Sequence, residues 1–395
     1  MKILAIESSC DETAAAVIED GRQILSNVVV SQIDIFAEYG GVIPEVAARS
    51  HLEAILPVIH KALGDAGSDK TEIDAIAVTH TPGLMGSLMI GTLTARMLAI
   101  LWQKPLYAVH HLKSHIYANW LDAGDDVAML DSDLPKFPLL ALVISGGHTQ
   151  IIYMPSHNQF EIIGTTKDDA VGECFDKVAK ILGLPYPGGP AIADCAKNGN
   201  PTRYHLPHPR VDGLDFSFSG LKTAVLRAVQ AECGLSITTP SYELKEHLSE
   251  QQKADFAASF QQTACEILLE KMEKALEQYP KVKSVVFAGG VSANRQLRSL
   301  ALNSLKGHQE ATDESKDVKT GMFAKSSKNA RSGALNAEYD YFKRDDIDIF
   351  FPEARFTGDN AAMVGVAAYF EIQSGVKPTD PYRLSIAPRT KISEK

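Results

Sequence analysis

The chain carries five cysteines, Cys10, Cys174, Cys195, Cys233 and Cys265, and none pairs with another as C-x-x-C. That spacing excludes a zinc knuckle and a disulfide framework, and it fits free thiols in a reducing compartment. The longest apolar stretches are interrupted before the roughly 18 residues a membrane helix needs, so no membrane span is expected. No basic n-region, apolar signal core or Arg/Ser-rich transit segment precedes the first strand, so a cytoplasmic protein is expected. Positive charge is short as well: 39 Lys and Arg stand against 49 Asp and Glu, a net charge of −10. An acidic chain does not advertise nucleic-acid binding; an RNA partner would need a local basic surface or one lent by another protein. The phosphate loop G-x-x-x-x-G-K-[ST] is absent, which removes the ordinary P-loop ATPase. So is H-E-x-x-H: where a zinc protease needs Glu after its first His, this chain has Leu112, or His111 counting from His110. No Ser–His–Asp or Cys–His set stands out.

What is present fits two lobes. The 395 residues, 45% hydrophobic and 22% charged, exceed one ordinary core. Leu139 to Met154 (LLALVISGGHTQIIYM) holds two strand-length apolar runs around Ser145-Gly146-Gly147-His148. Such a turn can present backbone N–H groups as a nest for an anion. The chain opens on a second version: Ile3 to Glu7, the polar turn Ser8-Ser9-Cys10-Asp11, then Ala14 to Ile18. Strand, Ser-bearing turn, strand near the start of each half predicts two related lobes with a cleft between them. The competing reading is two unrelated hairpins.

Arg22 to Ser31 reads as a third strand, and a helix runs from Pro44 to Leu63. Ile73 to Thr79, the turn Thr81 to Ser87 and an apolar helix to Trp102 make a strand–Gly turn–helix unit. Val282 to Phe287 followed by Ala288 to Asn294 makes another, suited to a phosphate at a helix N-terminus. His111 and His115 are four apart and share a helical face. They either reach one metal ion together or are two partly exposed histidines. Asp168, Asp169, Glu173 and Asp176 cluster near a helix start, where capping and ligand binding both remain open. Tyr186 to Pro190 (YPGGP) is a turn. Asp359 reads as a helix N-cap before Ala361 to Ser374, or as a carboxylate brought to the cleft. Asp122 to Lys136 is an acidic connector. Residues 308–346 are a polar insertion with Lys316, Lys319, Lys325, Lys328 and Arg331 as candidate partner contacts. The expected division is 1–121 as the first lobe, 122–136 as connector, 137–307 as the second lobe, 308–346 as insertion and 347–395 as the end of the second lobe. In that division the closing helix packs back near the first lobe.

The motifs IESSCDET (Ile6 to Thr13), GGVIPEVAARSH (Gly40 to His51), H-x-x-x-H at His111 and His115, SGGHT, DDAVGECFDK, YPGGP, FSFSGLK, GGVSANR and DNAAM occur in this order. Together they resemble the universal tRNA threonylcarbamoyladenosine transferase family in its bacterial and organellar form. The resemblance spans the chain outside the connector and the insertion. It implies an α/β chain of the two-lobed actin/Hsp70/sugar-kinase (ASKHA) fold, with duplicated β-sheet lobes and a central cleft. It implies transfer of a threonylcarbamoyl group from threonylcarbamoyl-AMP to N6 of adenosine 37 in tRNAs reading ANN codons. By match to the family pattern, His111, His115 and Asp359 hold one divalent metal, Fe2+ or Zn2+. Val143, Ile144, Ser145, Gly146, Gly147, His148, Asp176, Gly189 and Asn294 line the adenylate site, and Asp11 and Glu12 lie near the reaction centre. The implied partners are tRNA, a shorter ASKHA paralogue and a small P-loop ATPase, or a second copy of the chain. The chain departs from the pattern at Lys113 (usually Glu), Thr81 (usually Gly), Thr357-Gly358 (usually Cys-Thr), Cys174 (usually Ala) and Ala193 (often Asp). Two other functions share parts of the pattern: a small-molecule kinase or carbamoyltransferase on the same fold, to which the His111/His115/Asp359 set is foreign, and a non-catalytic scaffold like the shorter paralogue, which lacks the metal histidines.

Overall fold

The computed structural model describes residues 1–122, 133–305, 344 and 346–392. Most of the connector and nearly all of the 308–346 insertion, with its five cationic candidates, lie outside the described residues. Arg344 donates its N–H to the Leu305 carbonyl at 3.2 Å, which brings position 344 beside the end of the segment that closes at Leu305.

Strands β1 (Lys2–Glu7), β2 (Glu12–Glu19) and β3 (Gln23–Ser31) form an antiparallel meander. A short helix α1 (Ile33–Ala37) and the long α2 (Pro44–Asp65) follow, with Pro44 at the first helical position where its missing N–H costs nothing. Strand β4 (Ala75–Thr81), helix α3 (Met85–Trp102) and strand β5 (Leu106–His110) then add two parallel strands. The first sheet is ordered β3-β2-β1-β4-β5. Helix α4 (His111–Tyr117) leads away from it.

The second lobe repeats the plan. Strands β6 (Leu139–Ile144), β7 (Thr149–Met154) and β8 (Glu161–Thr165) form the meander. Strands β9 (Ser284–Ala288) and β10 (Asp348–Phe350) are parallel additions, giving the order β10-β9-β6-β7-β8. Read from its antiparallel edge this is the same order as the first sheet. The duplicated hairpins therefore belong to duplicated sheets, and the fold is the two-lobed ASKHA type.

Between β8 and β9 lie α5 (Val171–Leu182), α6 (Gly188–Cys195), α7 (Ser219–Glu232) and α8 (Glu250–Gln278); α9 (Arg295–Leu305) and α10 (Ala361–Gln373) follow β9 and β10. Ser249 and Gln252 close a capping box at the start of α8. Helix α10 is apolar on every side and accordingly buried, lying against the first sheet and α4. Its residues share one core with Ile3 and Ala5 of β1 and with Leu139, Ala141 and Val286 of the second sheet. That shared core fixes the lobes against each other and sets the C-terminal ends of β1, β4, β6 and β9 around the cleft.

One expectation is corrected and two features are not legible in the sequence. YPGGP ends a turn only up to Pro187, because Gly188 opens α6. Strand β8 is mostly half-buried and shows no apolar run in the sequence. Helix α3 is 18 residues long and, by length and composition alone, apolar enough to cross a membrane, but it packs as a core helix against the first sheet and α2. Thr92, Thr94 and Arg96 hide that run in the sequence. Its Leu88, Ala95, Leu98 and Ala99 are buried, so half of its surface is spent on the first lobe.

Candidate metal centre and anion cleft

Helix α4 is only seven residues long, and its first and fifth positions are His111 and His115. Both are buried, at 7% and 1% exposure, so the reading as partly exposed histidines falls. Asp359 arrives from the turn before α10. Asn360, not Asp359, caps that helix, accepting from the Met363 N–H at 3.1 Å, which leaves the Asp359 carboxylate free to face the histidines. Asp359 Oδ1 lies 3.5 Å from His111 Nε2 and 3.1 Å from His115 Nε2. One ligand atom from each residue falls within 4.8 Å of the other two. Neither ring nitrogen of buried His115 has a hydrogen-bond partner among the described residues. Asp359 is near enough to Nε2 but off the N–H direction. Two imidazole lone pairs and a carboxylate converging on one point, with a buried nitrogen left unsatisfied, is the donor chemistry of a borderline divalent cation.

The His111 tautomer is fixed from behind. Glu7, fully buried at the end of β1, lies 3.2 Å from His111 Nδ1 and also accepts from Ser9 N–H at 2.6 Å and from the Thr79 hydroxyl. Burial opposes the Glu7 charge, yet the His111 imidazole and these donors more than offset it and hold its carboxyl below the usual range. An ionised Glu7 only accepts, so His111 Nδ1–H donates, and Nε2, on the Asp359 side, is the nitrogen that would offer its lone pair to a bound cation. Sequence reading overlooked Glu7; a single acidic residue closing an otherwise apolar strand was the available signal. Carboxylates in this position typically contribute about 10–100-fold to metal affinity. Glu7→Gln is therefore expected to weaken Zn2+ binding by about that factor, read by competition with a chromophoric chelator. Wild-type affinity in the variant would remove Glu7 from the site.

Around this centre, the β6–β7 turn is closed by Ser145 N–H to the His148 carbonyl at 2.9 Å and His148 N–H to Ser145 Oγ at 3.2 Å. Gly146 and Gly147 stay exposed between them, and Val143 and Ile144 are buried strand residues beneath. Burial, aided by the nearby His111 and His115, pushes His148 down to about 4. Gly172 at the start of α5 abuts this turn: a Cβ there would come within 2.5 Å of the Ser145 carbonyl oxygen. Asp176, further along α5, accepts from Gly188 N–H at 2.7 Å, and burial raises its carboxyl. Gly189 has open space beside it. Asn294 caps α9 through the Leu297 N–H and donates to Gln261, so much of its side chain is already engaged. The first lobe faces this wall through the β1–β2 turn. Asp11 acts electrostatically on Asp176 and Tyr186 across the cleft. Glu12 is raised well above its usual value, by burial first and then by Asp359 and Asp11. Lys113 does not enter the metal site: its Nζ lies 5.0 Å over the Phe160 ring, on another face of α4.

The comparisons with known proteins bear on this geometry. Residues 23–366 match the family described as TsaD, tRNA N6-adenosine threonylcarbamoyltransferase. A protein of that name from Symbiobacterium thermophilum is 44% identical over 376 residues, 95% of this chain and 93% of its own length. Another, from Clostridium novyi, is 40% identical over 100% of this chain and 99% of its own. Among solved structures, component A of the (R)-2-hydroxyglutaryl-CoA dehydratase of Acidaminococcus fermentans has a TM-score of 0.45 at 13% identity, over 94% of this chain and 99% of that one. With a family match over most of its length and relatives at this identity, the chain belongs to the tRNA N6-adenosine threonylcarbamoyltransferase family.

Proposed function

We propose that this protein transfers the threonylcarbamoyl group of threonylcarbamoyl-AMP to N6 of adenosine 37 in tRNAs reading ANN codons. The observation that carries the reading is the convergence of His111, His115 and Asp359 beside the two Gly turns, in a chain of this family. The donor is a mixed carbamic–phosphoric anhydride. As N6 forms the new C–N bond, the bond to the phosphate oxygen breaks, AMP leaves, and one N6 proton is lost. Backbone N–H groups of the 145–148 and 289–294 turns suit the departing phosphate and add no competing nucleophile. A divalent ion at the trio, Fe2+ or Zn2+, would supply Lewis acidity toward the donor's oxygens. Glu7 holds His111 in the ligating tautomer. Asp11 on the facing turn is an acidic group available to the proton that N6 gives up, whereas burial beside Asp359 and Asp11 favours the neutral form of Glu12 at the start of β2. Adenine N6 is a weak nucleophile, so holding it against the carbonyl carries much of the rate.

The test is transfer itself. Purified protein, synthetic threonylcarbamoyl-AMP and an unmodified ANN-decoding transcript are combined with and without partner proteins, and the modified nucleoside is sought by mass spectrometry. Product is expected, lost on chelation and restored by Fe2+ or Zn2+. No product under any of these conditions would overturn the reading in favour of a scaffold.

Cytoplasmic work with a shorter ASKHA paralogue and a small P-loop ATPase belongs to the same proposal. An exposed apolar stripe supports the first partner: Met85, Met89, Leu93, Met97 and Leu101 repeat every fourth residue on α3, beside exposed Leu52 and Leu56 on α2. Two helices with such a face suit packing against two helices of a related subunit. Leu93→Asp is expected to weaken that assembly at least about tenfold, one desolvated charge being worth more than 1.4 kcal/mol. Light scattering with the paralogue reads the loss. A stable dimer of the chain alone, broken by the same variant, would give the stripe to a second copy instead.

A further inference from the structure

We infer that the C-terminal tail, residues 379–392, is a positioning strap for the metal ligands, acting through His110. The inference rests on the metal-centre reading above and adds residues that none of its motifs contain.

The tail leaves α10 and binds the open edge of the first sheet, where Thr379 N–H donates to the Leu106 carbonyl at 2.7 Å in an antiparallel bridge with β5. It is pegged at both ends by apolar side chains. Leu384 enters the core beneath α2 and α3, and Ile392, 1% exposed, enters the core shared by α4, α10 and both sheets. Between the pegs its backbone touches two things that lead to the metal ligands.

The first is His110. Its Nε2 lies 3.1 Å from the Thr390 carbonyl, and its Nδ1 accepts from the Leu112 N–H at 3.2 Å. A carbonyl only accepts, so the proton sits on Nε2 and the Nδ1 lone pair is free to cap α4. One ring thus joins the tail to the first turn of the helix that carries His111 and His115. At seven residues, α4 is too short for its own hydrogen bonds to dictate its direction. Its packing against α10 and the cap, with whatever holds the cap, decide it.

The second is the turn after β4. Ala387 N–H donates to the His80 carbonyl at 3.1 Å, the Thr81 hydroxyl donates to the Ala387 carbonyl, and Gly83 N–H donates to the Pro388 carbonyl at 3.3 Å. The next residue, Leu84, donates its N–H to the Ser9 carbonyl at 2.8 Å, and Ser9 Oγ is 3.2 Å from His111 Nδ1. The strap therefore reaches His111 from the helix side and from the turn behind its ring. Thr81 is a position where this chain departs from the family pattern, and its hydroxyl makes one of these bonds. Ligand positions matter to within about 0.2 Å in a metal site, so a freed α4 should loosen binding without unfolding the lobe.

Full-length, metal-free protein is titrated with Co2+, whose visible bands report ligand geometry, in the wild type and in His115→Ala, His110→Ala, His110→Asn and Thr81→Val. The wild type should bind with a spectrum that His115→Ala abolishes. His110→Ala should weaken Co2+ binding about tenfold and alter the band shape. His110→Asn should keep the α4 cap, its oxygen standing in for Nδ1, but its amide nitrogen stops short of the Thr390 carbonyl, so the weakened binding and altered bands should persist with the cap intact. Thr81→Val, which keeps the side-chain shape and loses only the hydroxyl, should weaken binding a few-fold. Wild-type affinity and spectrum in His110→Ala overturn the strap; if that variant does not fold, the same result in Thr81→Val does so. No Co2+ spectrum in the wild type overturns the metal centre itself and the strap with it.

Discussion

His115→Ala is expected to abolish metal binding and to lower threonylcarbamoyl transfer by about 10³-fold or more. A divalent ion held by the trio would supply Lewis acidity worth several kcal/mol of charge stabilisation, and each 1.36 kcal/mol is a factor of about ten in rate. His115 is the cleaner of the two histidines to remove. Its ring nitrogens have no hydrogen-bond partner among the described residues, and Asp359, its one charged neighbour, keeps His111 Nε2 at 3.5 Å, so the substitution strands less than removal of His111 does. His111→Ala should be as inactive but also less stable, because it leaves Glu7 buried without its imidazole. Breaking a buried charged pair from one side costs about 3–5 kcal/mol. The two variants thus separate chemistry from folding: equal loss of metal by elemental analysis, but a clearly larger fall in melting temperature for His111→Ala. Retention of metal and of transfer in His115→Ala would remove the trio from the mechanism.

What could be read beforehand follows from what periodicity encodes. The two Ser-bearing turns between apolar runs marked the duplicated sheets, because a strand buried on both faces is a continuous apolar run and its turn is the polar break. The His111/His115 pair was visible because helical spacing puts both on one face. Long-range pairing leaves no local trace. Glu7 belongs to a strand by pattern and to the metal site by its bond to a residue 104 positions away. Asp359 looked like a cap because Asp and Asn are both good caps; only the backbone tells which of two adjacent candidates does the work, and it is Asn360. The tail after α10 has neither periodicity nor a chemical motif. Its contacts are made by backbone groups, which every sequence possesses.

Gly289→Ala is expected to lose adenylate binding and to destabilise the fold by about 2–6 kcal/mol, the sum of two separate costs of about 1–3 kcal/mol each. Gly289 has φ 87° and ψ 167°, a region essentially confined to glycine, and another residue held there stores about 1–3 kcal/mol. Its Cβ would also overlap the Ile144 carbonyl, with the Ile144 carbonyl carbon at 2.9 Å. That neighbour is backbone in a strand whose register is fixed, Val143 opposite Ala288, so it cannot swing aside as a side chain would. Relief comes only by spreading the ends of β6 and β9 or by rotating the 289–290 peptide. Either movement turns the N–H groups of the two Gly turns away from a common anion. Gly290→Ala is the internal control: its φ is not positive and nothing lies within 4 Å of the added carbon, so its stability should stay within about 1 kcal/mol of wild type, the ordinary helix cost of glycine against alanine. Calorimetric binding of AMP and a thermal melt read both variants. If Gly289→Ala binds and melts like wild type, the β6 and β9 turns do not form one anion site, and the adenylate must lie elsewhere in the cleft.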